Sequence, residues 1–414
     1  MLNSPLRKVI RSLNFQQDNR AELLAIQPSE WPALLQLTDR AQISLPLGIR
    51  CRDYLPQPVR DRIDDNLANN ILRQNHLLDE YRLLAGLLQR QQIDFVVLKG
   101  LSHIAPYYAS ELSHRPQYDI DLYCPSNYIL AARDSMIRAG YVPIRAQRRR
   151  TDHLPSMMRN TNWKWKGDYY DPDLPLTVEL HFRFWDPATE RLTVQCIENF
   201  WPRRTSVIIH GMKVPVLDMA DGVSYAGLHL VRHLLRGDVR VYHAYELAHF
   251  LHYTADDEKL WRDWLDGRAL AACRLEAVAF RLAAQWFDCR LHPIVRQAVD
   301  GLPLKVARWF DLFGDSPLDL EKPNKDELFL HLCLLENATD RFAVLARRLF
   351  PVRAPKLVDP SSPGDKRTIV TLCSAALRQT LFAMRRALHH LRTTVPLIRS
   401  FFRWKTASRR YVVS

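Results

Sequence analysis

Two aspartates, Asp119 and Asp121, sit one residue apart inside the apolar run Tyr118-Asp119-Ile120-Asp121-Leu122-Tyr123. Successive side chains of a β-strand point to opposite faces, so both carboxylates lie on one face while Ile120 and Leu122 enter a core on the other. Two carboxylates one strand repeat apart can share a divalent cation or bridge two. A hard cation takes oxygen ligands and neutralises phosphate charge, which is the requirement of two-metal phosphoryl chemistry. A second run, Leu176 to Phe184, alternates in the same way. Thr177, Glu179, His181 and Arg183 take one face, and Val178, Leu180, Phe182 and Phe184 take the other. Glu179 is the expected third carboxylate, as metal ligand or as base, with His181 beside it. Taken alone, Asp-x-Asp on a half-buried strand is a common solvated edge; the neighbouring residues are what give it weight.

Upstream, Ile93 to Leu98 reads as a buried strand that ends in Lys99-Gly100. Gly100 allows a backbone conformation that lets the chain turn close past a phosphate, and Lys99 at that turn can contact one. The stretch Leu101 to Ser110 is expected to be a helix whose first N–H groups face an anion. Arg115, four residues before Asp119, suits bidentate phosphate contact, although a surface arginine is the bland alternative.

The elements that must position these residues are mostly helical. Residues 15–92 read as helices, broken by Pro56 and Pro58. Ile71, Leu72, Leu77, Leu78, Tyr81, Leu84, Leu87 and Leu88 fit one long helix with a buried face. Ser126 or Asn127 is expected to cap a helix that reaches Ala139 and stops at Gly140, and Tyr141 to Ile144 to form a further strand. Residues 145–175 read as irregular. There Arg145, Arg148-Arg149-Arg150 and Trp163-Lys164-Trp165-Lys166 mix charge with aromatic rings, which suits stacking on a base or single-stranded nucleic acid, or a basic hairpin over the site. Val207 to Leu217 reads as a hairpin turning at His210-Gly211, and Asp218 as the cap of the next helix. Beyond it the chain is helical. His229 and His233 share a helix face, but no third ligand is evident, so a packed or substrate-facing pair is expected over a zinc site. Tyr242, Glu246 and His249 follow on a second helix. Trp261, Trp264, Phe280, Trp286 and Trp309 read as core.

The 414 residues are 47% hydrophobic and 25% charged, as in an ordinary globular protein. The formal net charge of +13 suggests an acidic partner: nucleotide, nucleic acid or an anionic membrane surface. Seven scattered cysteines, none in Cys-x-x-Cys spacing, favour reduced thiols in a cytoplasmic protein over disulfides or a zinc ribbon. Neither a secretory signal nor a membrane span is evident. The reading divides the chain into a helical region (1–92), a core (93–217), a helical domain (218–350), a Pro-Ser-Gly linker (351–365) and a basic tail (366–414). Residues 366–410 carry eleven Lys or Arg and no Asp or Glu. An amphipathic helix there can lie on an anionic membrane, bind an acidic partner or pack on its own domain.

Leu98-Lys99-Gly100, Arg115, Asp119-Ile120-Asp121-Leu122 and Val178-Glu179-Leu180-His181 together resemble the bacterial uncharacterised nucleotidyltransferase family, within the DNA polymerase beta-type nucleotidyltransferase superfamily. The resemblance covers about residues 20–340 and excludes the tail. It implies an α+β fold, a small mixed sheet flanked by helices, with a mainly helical C-terminal region. It also implies Mg²⁺-dependent (or Mn²⁺-dependent) transfer of a nucleoside monophosphate from an NTP such as ATP to an acceptor on a small molecule, peptide or protein. By position, Asp119, Asp121 and Glu179 would hold the metal. Lys99, Gly100 and Ser102 would line the triphosphate, with Arg115 and His181 nearby. One departure is visible: the superfamily's Gly-Ser is Gly100-Leu101-Ser102 here, and Asp119 follows far beyond it. Transfer to RNA and a non-catalytic binding role are the competing expectations.

Overall fold

The computed structural model describes residues 4–103, 115–144, 152–320, 324–350 and 369–410. Four helices lead in: α1 (Pro5–Ser12), α2 (Trp31–Ala41), α3 (Ser44–Cys51) and the long α4 (Gln57–Arg90). Pro58 stands in the first turn of α4, where its missing N–H costs no helical bond.

Seven strands then form one mixed sheet. They are β1 (Val96–Val97), β2 (Asp119–Tyr123), β3 (Tyr141–Pro143), β4 (Met157–Arg159), β5 (Thr177–His181), β6 (Thr205–Ile209) and β7 (Met212–Val216). Their order is β3-β4-β5-β2-β1-β7-β6. The central pair β2–β5 is parallel, β1–β2 antiparallel and β1–β7 parallel. β6 and β7 are the expected hairpin, and His210 (φ 45°) and Gly211 (φ 74°) make its turn with two left-handed residues, which matches strand twist.

One face of the sheet is dry. Ile120, Leu122, Val178 and Leu180 are buried against Leu77, Tyr81, Leu84 and Leu88 of α4 and against α5 (Ile129–Arg138). The alternating apolar residues of β2 and β5 can do this only if the other alternate set faces away, toward the helices that follow.

Those helices are α6 (Met219–Arg236), α7 (Val241–Tyr253), α8 (Glu258–Leu265), α9 (Arg274–Phe287), α10 (Pro293–Asp300), α11 (Leu304–Phe313), α12 (Glu327–Leu334), α13 (Ala338–Leu349) and α14 (Ile369–Arg410). Asp218 caps α6 by accepting from Ala220 N at 3.0 Å. Trp261, Trp264, Phe280, Trp286 and Trp309 are buried in one helical core, as the sequence suggests. The architecture is α+β.

Three local expectations change. α5 starts at Ile129 with Tyr128 at its N-cap, so neither Ser126 nor Asn127 caps it. β4 is a short strand inside the stretch read as irregular. Ile71 and Leu72 are exposed, because α4 turns Asn66, Asn70, Arg73 and Gln74 inward over that length. Leu101–His103 are helical; the rest of the expected helix to Ser110, the arginines at 145 and 148–150 and the linker at 351–365 lie outside the described residues.

Candidate active site

The parallel register of β2 and β5 sets Asp121 opposite Glu179, Asp119 opposite Thr177 and Tyr123 opposite His181. Cross-strand partners on one face are close neighbours, so the carboxylates converge through backbone pairing alone. His181 Nε2 donates to Asp121 Oδ1 at 3.0 Å and lies 3.6 Å from Glu179 Oε2. Ser156 Oγ donates to Glu179 Oε1 at 2.6 Å, and His153 Nε2 is 3.6 Å from its other oxygen.

Lys99 completes the cluster. Its Nζ lies 3.1 Å from Asp121 Oδ2 and 3.2 Å from His229 Nε2. Burial works against the lysine's charge, but Asp121 and Asp119 outweigh it and hold the pKa above the ordinary value. Burial likewise opposes ionisation of Asp121, yet Lys99 and the His181 hydrogen bond keep its carboxyl below the usual range. For Glu179 burial is again overcome, here by His181, His153 and Lys99, and its pKa is well below normal. His181 is raised, because its bonds to Asp121 and Glu179 outweigh burial. Two carboxylates, a lysine and a histidine thus compensate one another in the dark of the fold.

Asp119 goes the other way. Burial and the neighbouring Asp121 charge push its pKa up to about 6. It binds its proton more tightly folded than unfolded, so stability falls as pH rises from the unfolded carboxylate range through about 6. Asp119→Asn removes that penalty. In the absence of divalent cations the variant is expected to be more stable than wild type at pH 7, by on the order of 1 kcal/mol. The difference should close at about pH 4. Denaturant unfolding at the two pH values measures it; a wild type that is the more stable at pH 7 would show that Asp119 carries no such penalty.

Gly100 has φ 67°, a left-handed conformation that disfavours a side chain. The close approach it permits is internal: a Cβ there would fall 2.0 Å from Gln117 Nε2, and that amide donates to Asp119 O at 2.7 Å. The Lys-Gly turn is thereby tied to the start of β2. Ser102, half-buried, follows in the first helical turn.

Arg115 lines the site, with its Nε 2.7 Å from Glu246 Oε1 of α7 and the pair buried. His103 Nδ1 is 3.1 Å from the other carboxylate oxygen. The arginine therefore joins the segment before β2 to the helical region. Reasoning from sequence missed its acidic partner, and it also missed the polar stripe of α4. Asn70 Nδ2 donates to Arg115 O at 3.2 Å, and Arg73 donates to Gln117 O at 3.1 Å and to Asp171 O at 3.0 Å. A second buried ion pair, Asp152 with Arg232, fastens the segment before β4 to α6.

Two cavities meet at the carboxylates. The larger, about 780 Å³, is lined by Asp119, Glu179, Tyr118, Trp165, Tyr169, Arg240 and His389, among others. The Trp165 and Tyr169 rings meet edge to face with centroids 5.0 Å apart. The smaller, about 70 Å³, shares Asp119, Glu179 and Arg240 and adds Lys99, His229, His233 and His243. His229 and His233 do share a face, with their Nε2 atoms 3.1 Å apart. Burial lowers the pKa of all three histidines, His233 to about 4, so they are neutral.

The residues suit a divalent cation. One ligand atom each from Asp121, Glu179 and His181 lie within 4.8 Å of one another. Asp121 Oδ2 is buried with Lys99 Nζ 3.1 Å away but not aligned as a hydrogen bond, and a carboxylate oxygen has a further lone pair that a cation can take. Paired acidic groups at the centre of a sheet, beside a cavity of nucleotide size, are an arrangement that suits phosphoryl-group chemistry. More closely, residues 27–288 match the uncharacterised nucleotidyltransferase family, and the chain belongs to it: it is an enzyme of nucleotidyl transfer. No curated protein and no solved structure matches the chain.

Proposed function

We infer that the enzyme moves a nucleoside monophosphate from an NTP to a hydroxyl or similar acceptor on a small molecule, peptide or protein, with Mg²⁺ or Mn²⁺ held by Asp119, Asp121 and Glu179. The observation that carries this reading is the β2–β5 register, which pairs Asp121 with Glu179 while Asp119 and Glu179 line a cavity of about 780 Å³. A divalent cation at such a site neutralises phosphate charge and activates the attacking oxygen.

This chain's residues divide the remaining work. The recess of about 70 Å³ is too small for a nucleoside, and its Lys99, Arg240 and histidine lining suits the phosphate end. Trp165 and Tyr169 offer faces on which a base can stack in the wide cavity. The depressed pKa of Glu179 supports a ligand role over a base, since a weakly basic group gains little as a proton acceptor. His181 orients Asp121, while Arg115 and Gly100 hold the approach to β2. In this reading the catalytic unit, 93–217, is closed by the helical region 218–350.

Calorimetry with each of the four NTPs and Mg²⁺ tests the assignment. Mg²⁺-dependent binding of at least one NTP is expected, with the heat lost in Asp119→Ala/Asp121→Ala. Failure of every NTP to bind would overturn it.

A further inference from the structure

The C-terminal helix α14 has two contrasting faces. Its inner face is fastened to the body. Arg386 donates to Arg348 O at 2.8 Å, and His390 Nδ1 meets Lys325 Nζ at 2.7 Å. Thr393 and Ser400 are buried. Trp404 stacks on Phe313 and Phe329 with centroids 6.3 and 5.8 Å away. These contacts recur at steps of three and four, the spacing of a single helix face.

The opposite face is apolar and uncovered. Leu381, Leu388, Leu391, Val395, Ile398 and Phe402 recur at the same steps and are 43–75% exposed. Lone exposed apolar residues need no explanation, but a continuous stripe does. Arg385, Arg392 and Arg399, each seven residues apart and all exposed, run along one edge of this stripe. No acidic residue occurs from 366 to 410.

We propose that this face docks on an anionic lipid membrane, lying along its surface. The charge pattern selects that occupant. The same helix of a second copy brings no acid to the arginines. Aligned in parallel with the apolar stripe as seam, they would face Thr380, Ala387 and Thr394; aligned antiparallel, they would face one another. Each copy also brings a formal charge of +13. An anionic headgroup layer supplies the opposite charge along the whole arginine edge, and its acyl boundary takes the leucine stripe. The docking is peripheral, since no helix among the described residues is long and apolar enough to cross a membrane.

Vesicle flotation of the full-length protein tests the proposal. The vesicles are phosphatidylcholine alone, or phosphatidylcholine with phosphatidylglycerol. The variants are Leu388→Glu/Leu391→Glu and Arg385→Ser/Arg392→Ser/Arg399→Ser, all at exposed positions, with circular dichroism to establish that they fold. Wild type should float with the anionic vesicles only, less so at high salt, and each variant should lose at least tenfold of the bound fraction. Absence of wild-type flotation, equal flotation with neutral vesicles, or variants that float like wild type would overturn it. A wild-type dimer in light scattering that Leu388→Glu/Leu391→Glu abolishes, with no vesicle binding, would instead assign the stripe to a second copy.

Discussion

Asp121→Asn is expected to lower nucleotidyl transfer by about a thousandfold while the protein stays folded. A bound cation contributes several kcal/mol of transition-state charge stabilisation, and each 1.36 kcal/mol is a factor of about ten in rate. Asparagine keeps the shape and one acceptor oxygen but loses the charge that binds a cation. The fold should tolerate the change because the Asp119 charge still acts on Lys99. The pKa of Asp119 is raised partly by the Asp121 charge, so removing that charge lowers it and leaves Asp119 ionised to offset the Lys99 charge. Single-turnover kinetics and thermal melting, run together, separate the two effects. Turnover like that of wild type in the folded variant would exclude Asp121 from the metal site.

Arg232→Met should have the largest effect on stability. Its partner Asp152 is buried, and the substitution leaves that carboxylate without its arginine. Breaking a buried pair from one side costs about 3–5 kcal/mol. The double variant Asp152→Asn/Arg232→Met should recover most of the loss, because a neutral pair pays no such desolvation. The acid response follows. Burial opposes the charge of Asp152, but Arg232 and the nearby histidines prevail and hold its pKa well below normal. The group thus contributes stability above the ordinary carboxylate range and loses it as pH falls below that range. Urea unfolding of the single and double variants at neutral and acid pH measures both; a single variant as stable as wild type would show that the pair contributes nothing.

The two strands that carry the carboxylates were legible because a period of two fixes which residues share a face, wherever the strands end up. Their parallel pairing was not legible, since nothing local in β2 names β5 as its neighbour. The inward polar stripe of α4 was misjudged for a related reason. Asn70 and Arg73 on a helix read as a wetted surface until the backbone they bind, forty to a hundred positions away, is in view. Glu246 and Asp152 were hidden in the same manner, each an ordinary acid until its arginine arrives from another element. Gly100 was marked for its freedom, correctly, but what fills the space above it is the amide of Gln117.

One consequence follows from where α14 lies. His389 forms part of the wall of the large cavity, and two residues further on Leu391 points outward to the surface. An α-helix is about 10–12 Å across, so a single rigid rod separates the two surroundings. Were the outer edge docked as proposed, a force that tilted the rod from outside would reshape the cavity mouth. By reciprocity, whatever filled the cavity would then alter the grip of the outer edge by the same factor, and location and occupancy would become two readings of one equilibrium.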